Sequence, residues 1–198
     1  DTGAGFERLV AILQNKFSNY ETDLFIPIIM NLERISETKF EENKPAFRVI
    51  SDHIRALTFA IADGVLPSNE RRGYVIRHIL RRAARFGRLI NLHKPFLYKL
   101  VDSVTDIMGK QYPELIEKEE HIKLAIKSEE ERFNLTLDNG IVKFNEITER
   151  LKPKEVISGK DVFKLYDTYG FPMDLTRIMA EEKGLMIDER GFEIEMGK

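Results

Sequence analysis

PSNERRGYVIRHILRRAARFG, Pro67–Gly87, is the stretch from which the rest of the chain is read. On a helix at about 100° per residue, Arg77, Arg81, Arg85 and Arg88 fall on one line, with His78 and Arg82 beside them. Val75, Ile76, Ile79, Leu80 and Ala83 fill the opposite arc, the arrangement of a helix lying on a core. Ser68 or Asn69 is placed to cap its start, and Gly87 to stop it. The charge is one-sided. Between Arg71 and Val101 there is no Asp or Glu, while Arg71, Arg72, Arg77, Arg81, Arg82, Arg85, Arg88, Lys94 and Lys99 are all cationic.

A solvated helix face ordinarily mixes signs, because opposite charges four residues apart stabilise it and like charges do not. Arg77, Arg81 and Arg85 repel one another along their line. Two partners would relieve that: the phosphates of a nucleic acid, or acidic helices elsewhere in the fold. Both stay open at this point. The net charge is −2, so removing the nine cations leaves −11, a basic block on an acidic protein.

At 198 residues the chain suits one or two domains and can bury a core. It has no cysteine, hence no disulfide framework and no thiolate metal site. His53, His78, His93 and His121 show no metal-binding spacing, so no zinc site is expected. No apolar run approaches a membrane span and nothing at the start resembles a signal peptide, so a cytoplasmic protein is expected. The chain opens at Asp1 inside what reads as a structural element, which suggests a piece of a longer protein.

Every long segment shows helical phase, and the fold expected is all-α (mainly α), with strand confined to the first few residues and a connection near 185–187. Gly3 and Gly5 lead into an apolar helix holding Phe6, Leu9, Val10, Ile12 and Leu13. Arg8 stands where a dinucleotide fingerprint needs its third glycine, which excludes that motif. A structural turn accounts for the glycines; an anion at the helix start is the alternative, strengthened by Arg8. A helix begins within Asp23–Leu32, and another runs from Pro45 to Gly64 with Phe47, Ile50, Ile54, Leu57 and Ile61 inward. A shorter one follows Pro95 and ends near Gly109. Glu114–Leu151 reads as one long helix, or two with a kink at Asn139-Gly140. Its stripe is Ile122, Ile126, Phe133, Leu137, Ile141, Phe144, Ile147 and Leu151. Ser158 caps a short helix, Gly184 stops the next, and a last helix starts after Ile187.

Three stretches, in this order, carry a family resemblance. DTGAGFER resembles motif 3 of class II aminoacyl-tRNA synthetases in its alanyl-tRNA synthetase form, and ADGVLPSNERRGYVIRHILRRAARFG and LYDTYGFPMDLT resemble two further signatures of that family. The resemblance covers nearly the whole chain and implies a ligase that activates alanine with ATP and Mg2+ and transfers it to tRNA(Ala). It divides the chain into residues 1–38, the end of the aminoacylation core, and 39–198, a helical bundle-like domain gripping the tRNA acceptor stem. Motifs 1 and 2 would precede Asp1, and editing and C-terminal domains, with any zinc, would follow Lys198. This piece alone is therefore expected to be inactive and to ligate no metal.

Carried over residue by residue, Arg8 resembles the motif 3 arginine on the γ-phosphate of ATP, with Gly5 beside the nucleotide. Asp1 matches the aspartate holding the alanine amino group, and Gly3 leaves room for that substrate. Asn69 and Asp167 match the pair that reads the G·U wobble pair of the acceptor stem, with Asp174 as the alternative to Asp167. A-form RNA exposes a wide, shallow minor groove whose base edges such groups can reach. Arg72, Arg77, Arg81, Arg82 and Arg85 would contact phosphates, which position without specifying. The competing reading is a helical scaffold whose basic helix docks on an acidic protein partner.

Overall fold

The computed structural model describes residues 3, 5–171 and 173–197. Among these there are ten α-helices and two strands of two residues each, so the fold is mainly α as the apolar phase predicts. The chain forms two compact units, Asp1–Glu130 and Glu131–Lys198.

In the first unit, α1 (Phe6–Leu13), α2 (Ile26–Ser36), α3 (Lys44–Ala62), α4 (Arg71–Arg88), α5 (Val101–Met108) and α6 (Pro113–Glu117) lead into α7 (Glu119–Thr148). The centre is α3. Asn43 caps it by accepting the Ala46 N–H, and Pro45 sits in its first turn, where no N–H is needed. Phe47, Ile50, Ile54, Leu57 and Ile61 are all buried, each contributing about 1.5–3 kcal/mol of burial. Lys118 closes the other end, donating from Nζ to the Ala62 carbonyl at 2.6 Å. Asn43 also donates from Nδ2 to the Leu89 carbonyl at 3.4 Å, tying the start of α3 to the end of α4.

The structure corrects three expectations for α4. Its N-cap is Glu70, in extended conformation, rather than Ser68 or Asn69. Ser68 instead folds the preceding turn, its backbone N–H donating to the Gly73 carbonyl at 3.0 Å. Gly73 is glycine because a Cβ there would strike Ser68 Oγ and the Leu66 carbonyl. Gly87 is no stop: the helix continues to Arg88, and Gly87 is buried where a Cβ would enter the Phe96 ring. Val75, expected inward, is 55% exposed, while Arg85 is buried. The inward arc is Gly73, Ile76, Leu80, Ala83, Ala84 and Gly87.

In the second unit the rest of α7 is followed by β1 (Val156–Ile157), α8 (Gly159–Tyr169), α9 (Met173–Glu182), β2 (Met186–Ile187) and α10 (Glu189–Met196). The helix over 119–148 runs unbroken through Asn139-Gly140, in line with the reading of one long helix, though its start is separated from α6 at Lys118. Gly140 leaves space for the Phe171 ring. Inside α7 the stripe keeps Ile122, Ile126, Phe133, Leu137 and Phe144, but Ile141 and Ile147 are only half-buried. Ser158 caps α8 through the Asp161 N–H, as its sequence position implies. The strands pair in parallel, Val156 with Met186 and Ile157 with Ile187; β1 had no counterpart in the sequence expectations.

Candidate nucleic-acid interface

The arginine line of α4 does have an acidic neighbour. Glu129 on α7 is 4% exposed, and its Oε1 lies 3.1 Å from Arg77 Nε and 2.9 Å from Arg81 Nη2. Arg81 also donates from Nε to the same oxygen at 3.1 Å, whereas Arg77 Nε forms an ion pair without hydrogen-bond alignment. One carboxylate therefore offsets part of the charge of two arginines, and internal neutralisation accounts for this part of the line. Helical spacing places Arg77 and Arg81 beside the buried arc rather than across from it, which is why they reach a packed neighbour.

The other cations differ from one another. Arg85 is buried, with its guanidinium carbon 5.3 Å from the Phe86 ring centroid. Arg82 is half-buried, lies 5.9 Å from the same centroid, and forms no ion pair among the described residues. Arg72 is exposed and likewise has no internal carboxylate there. Among the described residues, Arg72 and Arg82, like the exposed Arg71 at the start of the helix, have no carboxylate partner.

Asn69 is exposed just before α4, and its Oδ1 accepts a hydrogen bond from Arg77 Nη1. Asp167 is exposed near the end of α8, in the second unit, and forms no ion pair among the described residues. Asp174 lies in the first turn of α9 and is half-buried. Exposure is what a reader of base edges requires, and Asn69 and Asp167 both have it.

At the N-terminus, Gly3 and Gly5 have φ of 60° and 75°, a left-handed conformation that glycine adopts at no steric cost. Gly5 is the residue before α1, and Arg8 is exposed in the first turn. Asp1 lies outside the described residues. Glu7 on α1 accepts from Arg55 on α3 at 3.0 Å. A backbone hydrogen bond first, and then Arg55, hold its carboxyl below the usual range against the cost of burial.

The whole chain, residues 1–198, matches the family described as tRNA synthetases class II (A). The chain belongs to that family. Alanine–tRNA ligases of Staphylococcus aureus strains JH9, Newman and N315 are each 52% identical to it over 200 residues. That covers 99% of this chain and 23% of each relative, so this class II synthetase chain spans about a quarter of their length. Sequence reasoning missed one side chain of this cluster, the buried carboxylate that pairs with Arg77 and Arg81. Glu129 occupies a stripe position of α7, seven residues after Ile122, where an apolar residue is expected. A carboxylate at such a position needs a cation, and that gap was the available signal.

Proposed function

We propose that this chain is part of an alanine–tRNA ligase and that it holds the acceptor stem of tRNA. The observation that carries this is the 52% identity to alanine–tRNA ligases across 99% of the chain. The parent enzyme would activate alanine with ATP and transfer it to tRNA(Ala). Arg8, with Gly5, would meet the ATP phosphates, where a guanidinium offsets the charge that develops as the alanine carboxylate attacks. Asp1 and Gly3 would face alanine. Mg2+ accompanies ATP in such a reaction, but among the described residues no group of three acidic or histidine side chains stands ready to hold a metal. Residues 1–38 then belong with the aminoacylation core and 39–198 with the RNA-gripping part.

On the RNA, Asn69 and Asp167 are the proposed readers of the G·U pair, supported by their exposure. Arg72 and Arg82 are the leading phosphate contacts, because neither is neutralised from within among the described residues. Arg77, Arg81 and Arg85 contribute less than their place on the helix line suggests, since Glu129 holds the first two and burial shields the third.

The test is aminoacylation of acceptor hairpins carrying G·U or G·C by the full-length enzyme. Asn69→Ala or Asp167→Ala should cost about 1–3 kcal/mol on the G·U hairpin only. Arg72→Ala or Arg82→Ala should weaken binding to both hairpins alike and make the salt slope shallower by about one. Equal losses on both hairpins for the Asn69 and Asp167 variants would overturn the assignment of readers.

A further inference from the structure

Three side chains of the first unit form a chain from the interior to the surface. Glu129, 4% exposed, pairs with Arg77; Arg77 donates to Asn69 Oδ1; Asn69 is exposed. Arg77 is positioned to bridge, since its side chain is 17% exposed between a buried carboxylate and a surface amide.

The chemistry fixes the orientation of the amide. A guanidinium has five donors and no acceptor, so the Asn69 atom facing it has to be the carbonyl oxygen. The Asn69 NH2 group then points away from Arg77 and offers donors to a ligand. A solitary exposed asparagine turns freely about its last bond and presents oxygen or nitrogen as solvent dictates. Here the turn is held by Arg77, and Arg77 is in turn held by a carboxylate shielded from water, where ion pairing is stronger than at the surface.

We propose that Glu129 and Arg77 are positioning residues for Asn69, and that Arg77 serves the choice of acceptor stem rather than contacting a phosphate. This rests on the assignment of Asn69 as a reader. Glu129 anchors the guanidinium, the guanidinium anchors the amide oxygen, and the amide nitrogen is presented pre-oriented to an acceptor on the RNA. Pre-orientation lowers the ordering cost on binding, and it does so only for an RNA that offers an acceptor there. Arg81, one turn further along α4, shares Glu129 Oε1 and helps to keep the carboxylate in place.

The experiment is kcat/KM of the full-length enzyme on G·U and G·C acceptor hairpins for Asn69→Ala, Arg77→Lys, Glu129→Gln and the double variant Asn69→Ala/Arg77→Lys. Arg77→Lys keeps the charge but loses the planar guanidinium whose Nη1 donates to Asn69 while its Nε lies beside Glu129. Selection for G·U over G·C should fall about tenfold in Arg77→Lys, the scale of one charge-assisted hydrogen bond, and by a similar factor in Glu129→Gln. The double variant should select no worse than Asn69→Ala alone, because the arginine acts through the asparagine. A phosphate contact would leave selection unchanged in Arg77→Lys, and that result overturns the proposal. Multiplied losses in the double variant also overturn it. If Asn69→Ala itself leaves selection intact, the assignment of Asn69 has failed instead, which is a separate outcome. Should Glu129→Gln fail to fold, as thermal unfolding would reveal, Arg77→Lys and the double variant decide alone.

Discussion

Glu130 Oε1 accepts the backbone N–H of Phe96 at 3.0 Å, although Glu130 is fully buried. Its second oxygen takes the Leu97 N–H at 3.0 Å, so one carboxylate closes the start of the 3-10 turn Leu97–Leu100. Charged acceptors on backbone N–H groups make strong hydrogen bonds. Removing this one leaves two buried donors without it and opens a cavity. Glu130→Ala should destabilise by about 3–5 kcal/mol, read from urea unfolding. Glu130→Gln should lose about 1–3 kcal/mol, because its NH2 group faces a donor where an acceptor is required. An Ala variant of unchanged stability would show that the carboxylate is dispensable there.

Gly87→Ala should destabilise, although alanine is the better helix former by about 1 kcal/mol. The added Cβ would enter the ring of Phe96, itself 2% exposed and unable to swing into solvent. Overpacking of this kind costs about 1–3 kcal/mol, enough to outweigh the gain in propensity. Gly64→Ala is the contrasting control, where strain comes from φ of 86° and nothing lies near the new methyl group. A rise in the urea midpoint of Gly87→Ala would mean that the ring moves aside freely.

Much of this architecture is legible in the sequence and some is not, for reasons that differ by element. The inward residues of α3 recur at helical spacing, and its cap, proline and terminal glycine all agree with that phase. The start of α8 is equally plain, because Ser158 caps it by accepting a local hydrogen bond from the Asp161 N–H. Gly87 misleads because its reason is a ring nine positions later, a tertiary contact that no local rule contains. A strand of two residues has too few positions to show alternation, so β1 leaves no period to find. At the candidate interface, sequence supplies the exposed residues Asn69 and Asp167 but not the partners of Arg77 and Arg81. Glu129 belongs to a helix more than forty positions away, and pairing over that distance has no periodic signature.

Acid should weaken the first unit through Glu119. Lys123 first, and then the Thr105 hydroxyl, hold its carboxyl below the ordinary value of 4.5, against the cost of burial. Lys123 Nζ lies 2.6 Å from Glu119 Oε1 and 2.5 Å from Asp102 Oδ1. A carboxyl whose folded pKa is depressed contributes stability above its unfolded value and loses it as pH falls through the folded one. Between neutral pH and pH below 4.5, wild-type stability should therefore fall more steeply than that of Lys123→Met, which lacks the cation responsible. Urea midpoints across that range provide the measurement. Parallel curves for the two proteins would exclude Glu119 as a source of acid sensitivity.

Asp167→Asn separates reading from structure at the second proposed contact. Asp167 is exposed on α8 and forms no ion pair among the described residues, so the substitution should leave unfolding within about 0.5 kcal/mol of wild type. The change keeps the size of the side chain and one carbonyl oxygen, but replaces the second acceptor with a donor. A guanine amino group is itself a donor, so an amide turned the wrong way repels it where a carboxylate would accept from either oxygen. The new amide would have to settle into one orientation on binding, and that ordering would weaken its hold on the base pair. The full-length enzyme carrying Asp167→Asn should therefore lose about 1–3 kcal/mol of kcat/KM on a G·U acceptor hairpin. On a G·C hairpin its activity should stay close to that of wild type. Equal losses on both hairpins, with folding intact, would reassign Asp167 from reading the base pair to general placement of the stem. Asp174, in the first turn of α9, would then be the next carboxylate to replace.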